Sequence, residues 1–179
     1  MNILHYKNMR VGLSTSISNL ARDWRNDRNV REWCRQFTLI SFHDHSTWLD
    51  KIDNDETIKM FGIKHKGESV GVCGLTGINL INRVAEFSLY ISPLKRRQGF
   101  AKDALISLFA HGFQSFNLNR IWGETFDYNP AGGLFTSIGM TGEGSLRDSY
   151  FRNGKYIDSH IFSMLEHEFK EKYGLMDEV

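Results

Sequence analysis

The stretch Ser92-Pro93-Leu94-Lys95-Arg96-Arg97-Gln98-Gly99-Phe100-Ala101 decides how this chain reads, because it joins the most legible strand pattern in the sequence to an equally legible helical one. Upstream, Ala85, Phe87, Leu89 and Ile91 alternate with Glu86, Ser88, Tyr90 and Ser92. A period of two puts the first set on one face of a strand and the second on the other. Downstream, Ala101, Ala104, Leu105, Leu108, Phe109, Gly112, Phe113 and Phe116 recur at spacings of three and four, which predicts a helix with one apolar face. Pro93 marks the strand exit, since the residue before a proline is biased to extended backbone. Such exits are where open α/β sheets hold their ligands.

The turn itself has the chemistry of an anion cradle. The first amides of a helix lack intrahelical acceptors and sit at the positive end of its dipole. Gly99 lets the backbone approach a phosphate closely, Ala101 keeps the first turn uncluttered, and Lys95, Arg96 and Arg97 add local charge. A pyrophosphate fits that description. So does a solvated basic loop capped by glycine, and the pattern alone leaves both open.

Working outward, residues 120–128 read as another strand, exiting at Asn129-Pro130 into a short helix that ends near Ile138, before Gly139. Asn153-Gly154 predicts a two-residue hairpin turn between strands at 142–151 and 156–165. On the N-terminal side, the apolar runs 58–65 and 70–78 flank Lys66-Gly67-Glu68, a second hairpin signal. Between Ser18 and Leu49, Leu20, Trp24, Val30, Trp33, Cys34, Phe37, Trp48 and Leu49 lie among many charges. That pattern predicts two short amphipathic helices, with most of Trp24, Trp33, Phe37 and Trp48 in the core rather than lining a pocket. The order of elements is that of an α/β or α+β protein with a mostly antiparallel sheet.

A chain of 179 residues fits one domain, spanning 1–179, at roughly 150 residues per domain. Its 22 lysines and arginines against 21 acidic residues leave a formal charge of +1, so no global field calls for nucleic acid or an anionic membrane. Any anion-binding charge is local. Cys34 and Cys73 form no Cys-x-x-Cys pair, which argues against a disulfide framework or a structural zinc and leads one to expect a reduced, cytoplasmic compartment. Cys73, in an apolar strand, reads as core. The first residues carry no signal-peptide apolar core, and no run approaches the roughly 18 apolar residues of a membrane span. His43 and His45 flank Asp44 without a third ligand at a coherent spacing, so the cluster reads as a loop or helix cap and no metal is expected.

The strand, the Arg96-x-x-Gly99-x-Ala101 turn and the helix after it resemble the acetyl-CoA pyrophosphate motif, Gln/Arg-x-x-Gly-x-Gly/Ala, of the GNAT acetyltransferases. The likeness extends over essentially the whole chain. Trp24-Arg25-Asn26-Asp27 with Val30 and Trp33, then His45 to Trp48, resembles the opening helices of the RimJ/RimL-type branch, and Ala85-Glu86-Phe87 resembles its Ala-Glu-Ile/Phe strand. Asn129-x-Ala131, Ile138-Gly139-Met140, Glu143-Gly144-x-Leu146-Arg147 and Gly154-x-Tyr156-x-Asp158 follow in the family's order. The resemblance implies a splayed central sheet with a V-shaped cofactor cleft between its fourth and fifth strands.

Carried over by position, it implies that Arg96, Arg97, Gln98, Gly99, Phe100 and Ala101 meet the pyrophosphate of acetyl-CoA. Backbone of Leu89, Tyr90 and Ile91 would run beside the pantetheine arm, and Asn129 would hydrogen-bond it. Glu86 resembles the glutamate that many relatives hold on this strand and is the candidate general base. Acetyl transfer needs a neutral attacking nitrogen, so a carboxylate near the thioester must accept a proton, directly or through water. The alternative for Glu86 is an ordinary ion pair with a cation such as Arg83 or Arg120. Many members place a tyrosine in the helix after the next strand to protonate the departing thiolate, and Phe135 stands where it is expected. Thr136, Ser137 and Tyr128 offer hydroxyls nearby. A thiol of pKa about 8.5 leaves without full protonation, so no general acid is assigned.

The family implies an acetyl-CoA-dependent N-acetyltransferase acting on a primary amine, with no metal. Its acceptor would be a protein N-terminal amine, as in the RimJ/RimL branch, or a small amine such as an aminosugar nucleotide. Arg147, Arg152 and Lys155 around the last hairpin would meet an acidic acceptor or simply form a solvated turn. A GNAT-fold protein that binds acyl-CoA without turnover is the rival reading, sustained by Phe135. Neither nucleic acid nor membrane is expected as a partner, and the chain would be a monomer or homodimer.

Overall fold

The structure is a computed structural model and describes residues 3–175. It begins with two short strands, β1 (Ile3–His5) and β2 (Gly12–Ser14), followed by helices α1 (Ala21–Asn26), α2 (Arg28–Arg31) and α3 (Phe42–Asn54). Then come β3 (Lys59–His65), β4 (Glu68–Asn79), β5 (Val84–Ile91), α4 (Phe100–Ser115) and β6 (Arg120–Phe126). The chain continues with α5 (Ala131–Ser137), β7 (Thr141–Arg152), β8 (Lys155–Leu165) and α6 (Glu166–Tyr173). One sheet holds all eight strands in the order β1-β2-β3-β4-β5-β6-β8-β7. Every neighbouring pair is antiparallel except β5 and β6.

The turn chemistry explains the hairpins. Asn153 and Gly154 both take left-handed backbone, with φ of 50° and 80°, which matches the twist of the flanking strands and is what an Asn-Gly pair supplies. β7 and β8 therefore pair from Arg152–Lys155 back to Thr141–Ser163. The Lys66-Gly67 turn closes β3 on β4 in the same way.

The parallel pair creates the cleft. β5 and β6 pair only at Val84–Arg120, Ala85–Ile121 and Glu86–Trp122. Beyond that, β5 stays on β4 as far as Ile91 and β6 stays on β8 as far as Phe126, so the two strands diverge. The Phe87 ring lies against Gly123 at this point, where any added Cβ would run into it. The same ring packs edge-on against Phe109 at 5.5 Å and Phe135 at 5.1 Å. These are the strands that the resemblance numbers fourth and fifth. Here they are β5 and β6, one number higher because the short strand β1 is counted first.

Beneath the sheet, α4 is buried more completely than one apolar face predicts. Phe100, every residue from Ala104 to Ala110, Gly112 and Phe113 are buried. The helix packs across β2, β4, β5 and β6 while α6 covers part of its other side, so Phe113 meets Phe169 at 5.4 Å. The N-terminal third forms three helical pieces instead of two. Ser41 and Asp44 build a capping box at the start of α3, which accounts for the His43-Asp44-His45 cluster as a cap, with His45 stacked on Trp48. None of Trp24, Trp33, Phe37 and Trp48 joins the buried core, a correction to the expectation that most would. Trp24, Trp33 and Trp48 are half-buried and Phe37 is exposed. Among the described residues, no helix is long and apolar enough to cross a membrane.

Candidate active site

Between the diverging strands lies a cleft of about 1280 Å³. Its walls bring together Glu86, Leu89, Tyr90, Ile91, Arg96, Arg97, Gly99, Phe100, Ala101 and Asn129, that is, each site residue expected from the sequence except Gln98. The Gln98 side chain turns back onto the Leu94 carbonyl, and its own carbonyl accepts the Arg10 guanidinium at 3.0 Å.

The cradle is built by backbone conformation. Arg97 and Gly99 are both left-handed, with φ of 59° and 82°, and Gly99 caps α4. Arg96 ties the turn to α2 by donating to the Asn29 carbonyl at 2.7 Å, and Arg10 ties it to α4 through Asp103 at 2.6 Å. On the cleft side, β6 pairs with nothing in β5 beyond Glu86, so Phe87 to Ile91 present a bare strand edge. Asn129, in the cleft wall, accepts the Ala131 N–H through its side-chain oxygen at 3.0 Å.

Acetyl-CoA fits these residues on an independent ground. Among the described residues, two buried side-chain polar atoms lack a hydrogen-bond partner, Arg25 Nη1 and Thr125 Oγ1. Both residues line this cleft. Buried donors without acceptors are costly, at about 1–3 kcal/mol each, and a polar ligand in the cleft relieves that cost. Arg25 also lies over the Tyr90 ring at 5.6 Å, and burial raises the Tyr90 hydroxyl above its ordinary pKa.

At the splay stands a group the sequence did not reveal. The Glu86 carboxylate pairs with the Arg35 guanidinium, and the same guanidinium reaches Glu124 at 3.1 Å. Glu124, on β6, also accepts from Tyr150 at 3.0 Å and from Ser159. Burial disfavours charge on Arg35, but Glu86, Tyr150 and Glu124 more than offset it and raise its pKa. The cation on Glu86 is thus Arg35, whereas Arg83 donates to Asn117 and Arg120 to Glu143. Two glutamates at alternate positions on adjoining strands would have been a signal, had the pairing of 86 with 122 been known.

Phe135 is buried, its ring edge-on to Phe87 and Phe162. The hydroxyls near it face elsewhere: Thr136 donates to Gly132 O, Ser137 to Leu134 O and Tyr128 to Glu32 O. Cys34 donates to Val30 O. Burial raises the pKa of Cys34 against opposing pulls from Arg25 and Arg152, and burial alone raises that of Cys73.

Arg152 corrects the expectation of a solvated turn. It is 7% exposed, donates to Cys34 O at 2.6 Å and to Arg35 O, and lies over Phe37 at 4.0 Å. It therefore holds the loop bearing Arg35 against the last hairpin. Arg152→Met should leave two carbonyls without their donor and lower stability by about 2–4 kcal/mol, read as a fall in Tm of roughly 4–16 °C for a domain this size. A Tm unchanged within 1–2 °C would mean the clamp is dispensable. Arg147 and Lys155 are exposed.

A family model described as an acetyltransferase (GNAT) domain matches residues 14–141. An uncharacterized N-acetyltransferase p20 of Bacillus licheniformis is 35% identical over 147 residues, covering 77% of this chain and 83% of that protein. The spermidine N(1)-acetyltransferase of Vibrio cholerae is 27% identical over 146 residues, covering 80% and 84%. The crystal structure of a spermidine N-acetyltransferase from Vibrio cholerae, in complex with CoA and spermine, superposes with a TM-score of 0.84 at 25% identity, covering 89% of this chain and 98% of that one. Among the described residues, no group of three or more His, Cys, Asp or Glu is placed to hold a metal.

Proposed function

Because the chain belongs to the GNAT acetyltransferase family and is an acetyl-CoA-dependent N-acetyltransferase, we propose that its acceptor is a positively charged primary amine, with Glu86 as general base. The observation that carries this reading is the meeting of two seats at one splay. An anion cradle lies at the Gly99 end of the cleft, and a pair of carboxylates, Glu86 and Glu124, lies at the other, already satisfied by a cation.

In this reading Arg96, Arg97 and the first amides of α4 hold the pyrophosphate. The Leu89–Ile91 edge and Asn129 align the pantetheine arm, Glu124 draws in the ammonium group, and Glu86 takes one proton from it so that the neutral nitrogen attacks the thioester; the second N–H proton goes to water as the C–S bond breaks and the amide forms. No hydroxyl is assigned to the departing thiol, whose pKa of about 8.5 lets it leave largely as thiolate. An aminosugar nucleotide is disfavoured, because the two carboxylates at this end of the cleft repel its phosphates. The spermidine acetyltransferase relatives support a cationic aliphatic amine.

A protein N-terminal amine, as in the RimJ/RimL-type branch, is the second reading. One feature favours it: a second cleft, lined by Phe37, Tyr128, Tyr156 and Lys155, shares Glu32 and Trp33 with the first and has room for the residues that follow a terminal amine. Steady-state CoA release with spermidine, a short peptide and an amino-sugar nucleotide at equal concentration separates these. Spermidine should exceed the nucleotide in kcat/KM by about tenfold or more, equivalent to about 1.4 kcal/mol. A peptide in first place selects the second reading, and a nucleotide in first place overturns both.

A further inference from the structure

We propose that the Arg35 guanidinium is a built-in occupant of the acceptor's ammonium seat, displaced when the amine binds, so that the site admits acceptors by their positive charge. The inference rests on the reading of Glu86 as the residue beside the reacting nitrogen.

The two partners of this ion pair differ in how firmly they are held. Glu86 sits on a strand paired on both sides at that level, Glu124 on a strand paired there with β8, and their side chains are 19% and 7% exposed. Arg35 comes from the connection between α2 and α3, where Gln36 to Leu39 are exposed, and its own side chain is 43% exposed. Its backbone carbonyl is clamped by Arg152, so the loop is anchored through its backbone while the half-exposed side chain has solvent beside it. The anions are fixtures and the cation is the movable part.

Hydrogen bonding points the same way. Glu124 keeps Tyr150 and Ser159 as donors when Arg35 departs, so it remains an ordered, charged receptor. Glu86 is held by Arg35, so an acceptor ammonium reaches the same carboxylate oxygen only as the guanidinium moves away. An incoming ammonium exchanges one positive charge for another, which keeps both carboxylates paired. A neutral or anionic acceptor leaves two partly buried carboxylates facing each other, which is costly. Selection by charge follows from the exchange itself.

The occupant reduces apparent acceptor affinity by the fraction of molecules with an open seat. If about one molecule in ten is open, its removal tightens binding about tenfold. The test measures spermidine, n-propylamine and a short peptide by calorimetry and by CoA release, in the parent, Arg35→Ala and Arg35→Gln. The expected result is a fall of about tenfold in Kd and KM for whichever of these amines the parent uses, with the KM for acetyl-CoA unchanged. Guanidinium ion at millimolar concentration should then compete with the amine in Arg35→Ala and scarcely in the parent. A KM that rises in both variants makes Arg35 a ligand of the acceptor, and one that stays constant makes it a static strut; either overturns the proposal, as does failure of all three amines to bind Arg35→Ala more tightly than the parent. Arg35→Gln keeps the test open if Arg35→Ala does not fold. Glu86→Gln in the Arg35→Ala background separates the two ideas: if turnover survives, Glu86 is not the base, while the amine Kd of Arg35→Ala still reports on the occupant.

Discussion

Glu86→Gln should lower kcat by about 10²–10⁴-fold, the usual worth of a positioned general base, while the KM for acetyl-CoA changes little. The substitution keeps the shape of the side chain and its place on β5, so the Phe87 wedge and the cradle at Gly99 are undisturbed. A thermal melt within a few degrees of the parent would confirm that the loss is chemical. Glu124→Gln supplies the contrast: Glu124 is read as holding the ammonium rather than taking its proton, so its loss should raise the acceptor KM more than it lowers kcat. Equal effects on kcat and KM from both variants, or a kcat of Glu86→Gln within twofold of the parent, would remove Glu86 from the chemistry.

Gly99→Val should abolish the stabilisation that acetyl-CoA confers. At a ligand concentration about 100 times Kd that stabilisation is about 2.7 kcal/mol, or roughly 5–11 °C in Tm for a chain of this length. Two effects combine. The residue has φ of 82°, where a β-branched side chain is strained by about 1–3 kcal/mol. A Cβ there would also meet the Arg10 guanidinium and displace it from Asp103 and the Gln98 carbonyl, loosening the tie between the turn and α4. Gly154→Val is the control. Gly154 has φ of 80° with open space around it, so it carries the same backbone strain without touching the cradle and should keep the full ligand-induced shift. A Gly99→Val protein that is stabilised by acetyl-CoA as well as the parent would place the pyrophosphate elsewhere.

What the sequence by itself determined is local. The two-residue alternation from Ala85 to Ser92, the three-and-four spacing after Gly99 and the Asn153-Gly154 turn each express a preference carried by a few adjacent residues, and they mark the strand–turn–helix unit and the final hairpin. The turn at Arg96 to Ala101 was legible for the same reason: a helix start, a glycine and neighbouring cations are contiguous. The short strands β1 and β2 were not legible, since three residues show no period, and neither was the helical α6. Only the tertiary structure decided the grouping of Arg35, Glu86 and Glu124 at one end of the cleft. Arg35 and Glu86 are 51 positions apart, Arg35 and Glu124 are 89, and Arg152 reaches across 117 to the Arg35 carbonyl. Such pairings leave no trace in spacing, because they follow from how β5 diverges from β6 and how the last hairpin packs on the loop after α2. The same packing buried Arg152, which composition alone would leave in water, and so turned a surface cation into the clamp that holds Arg35 over the two carboxylates.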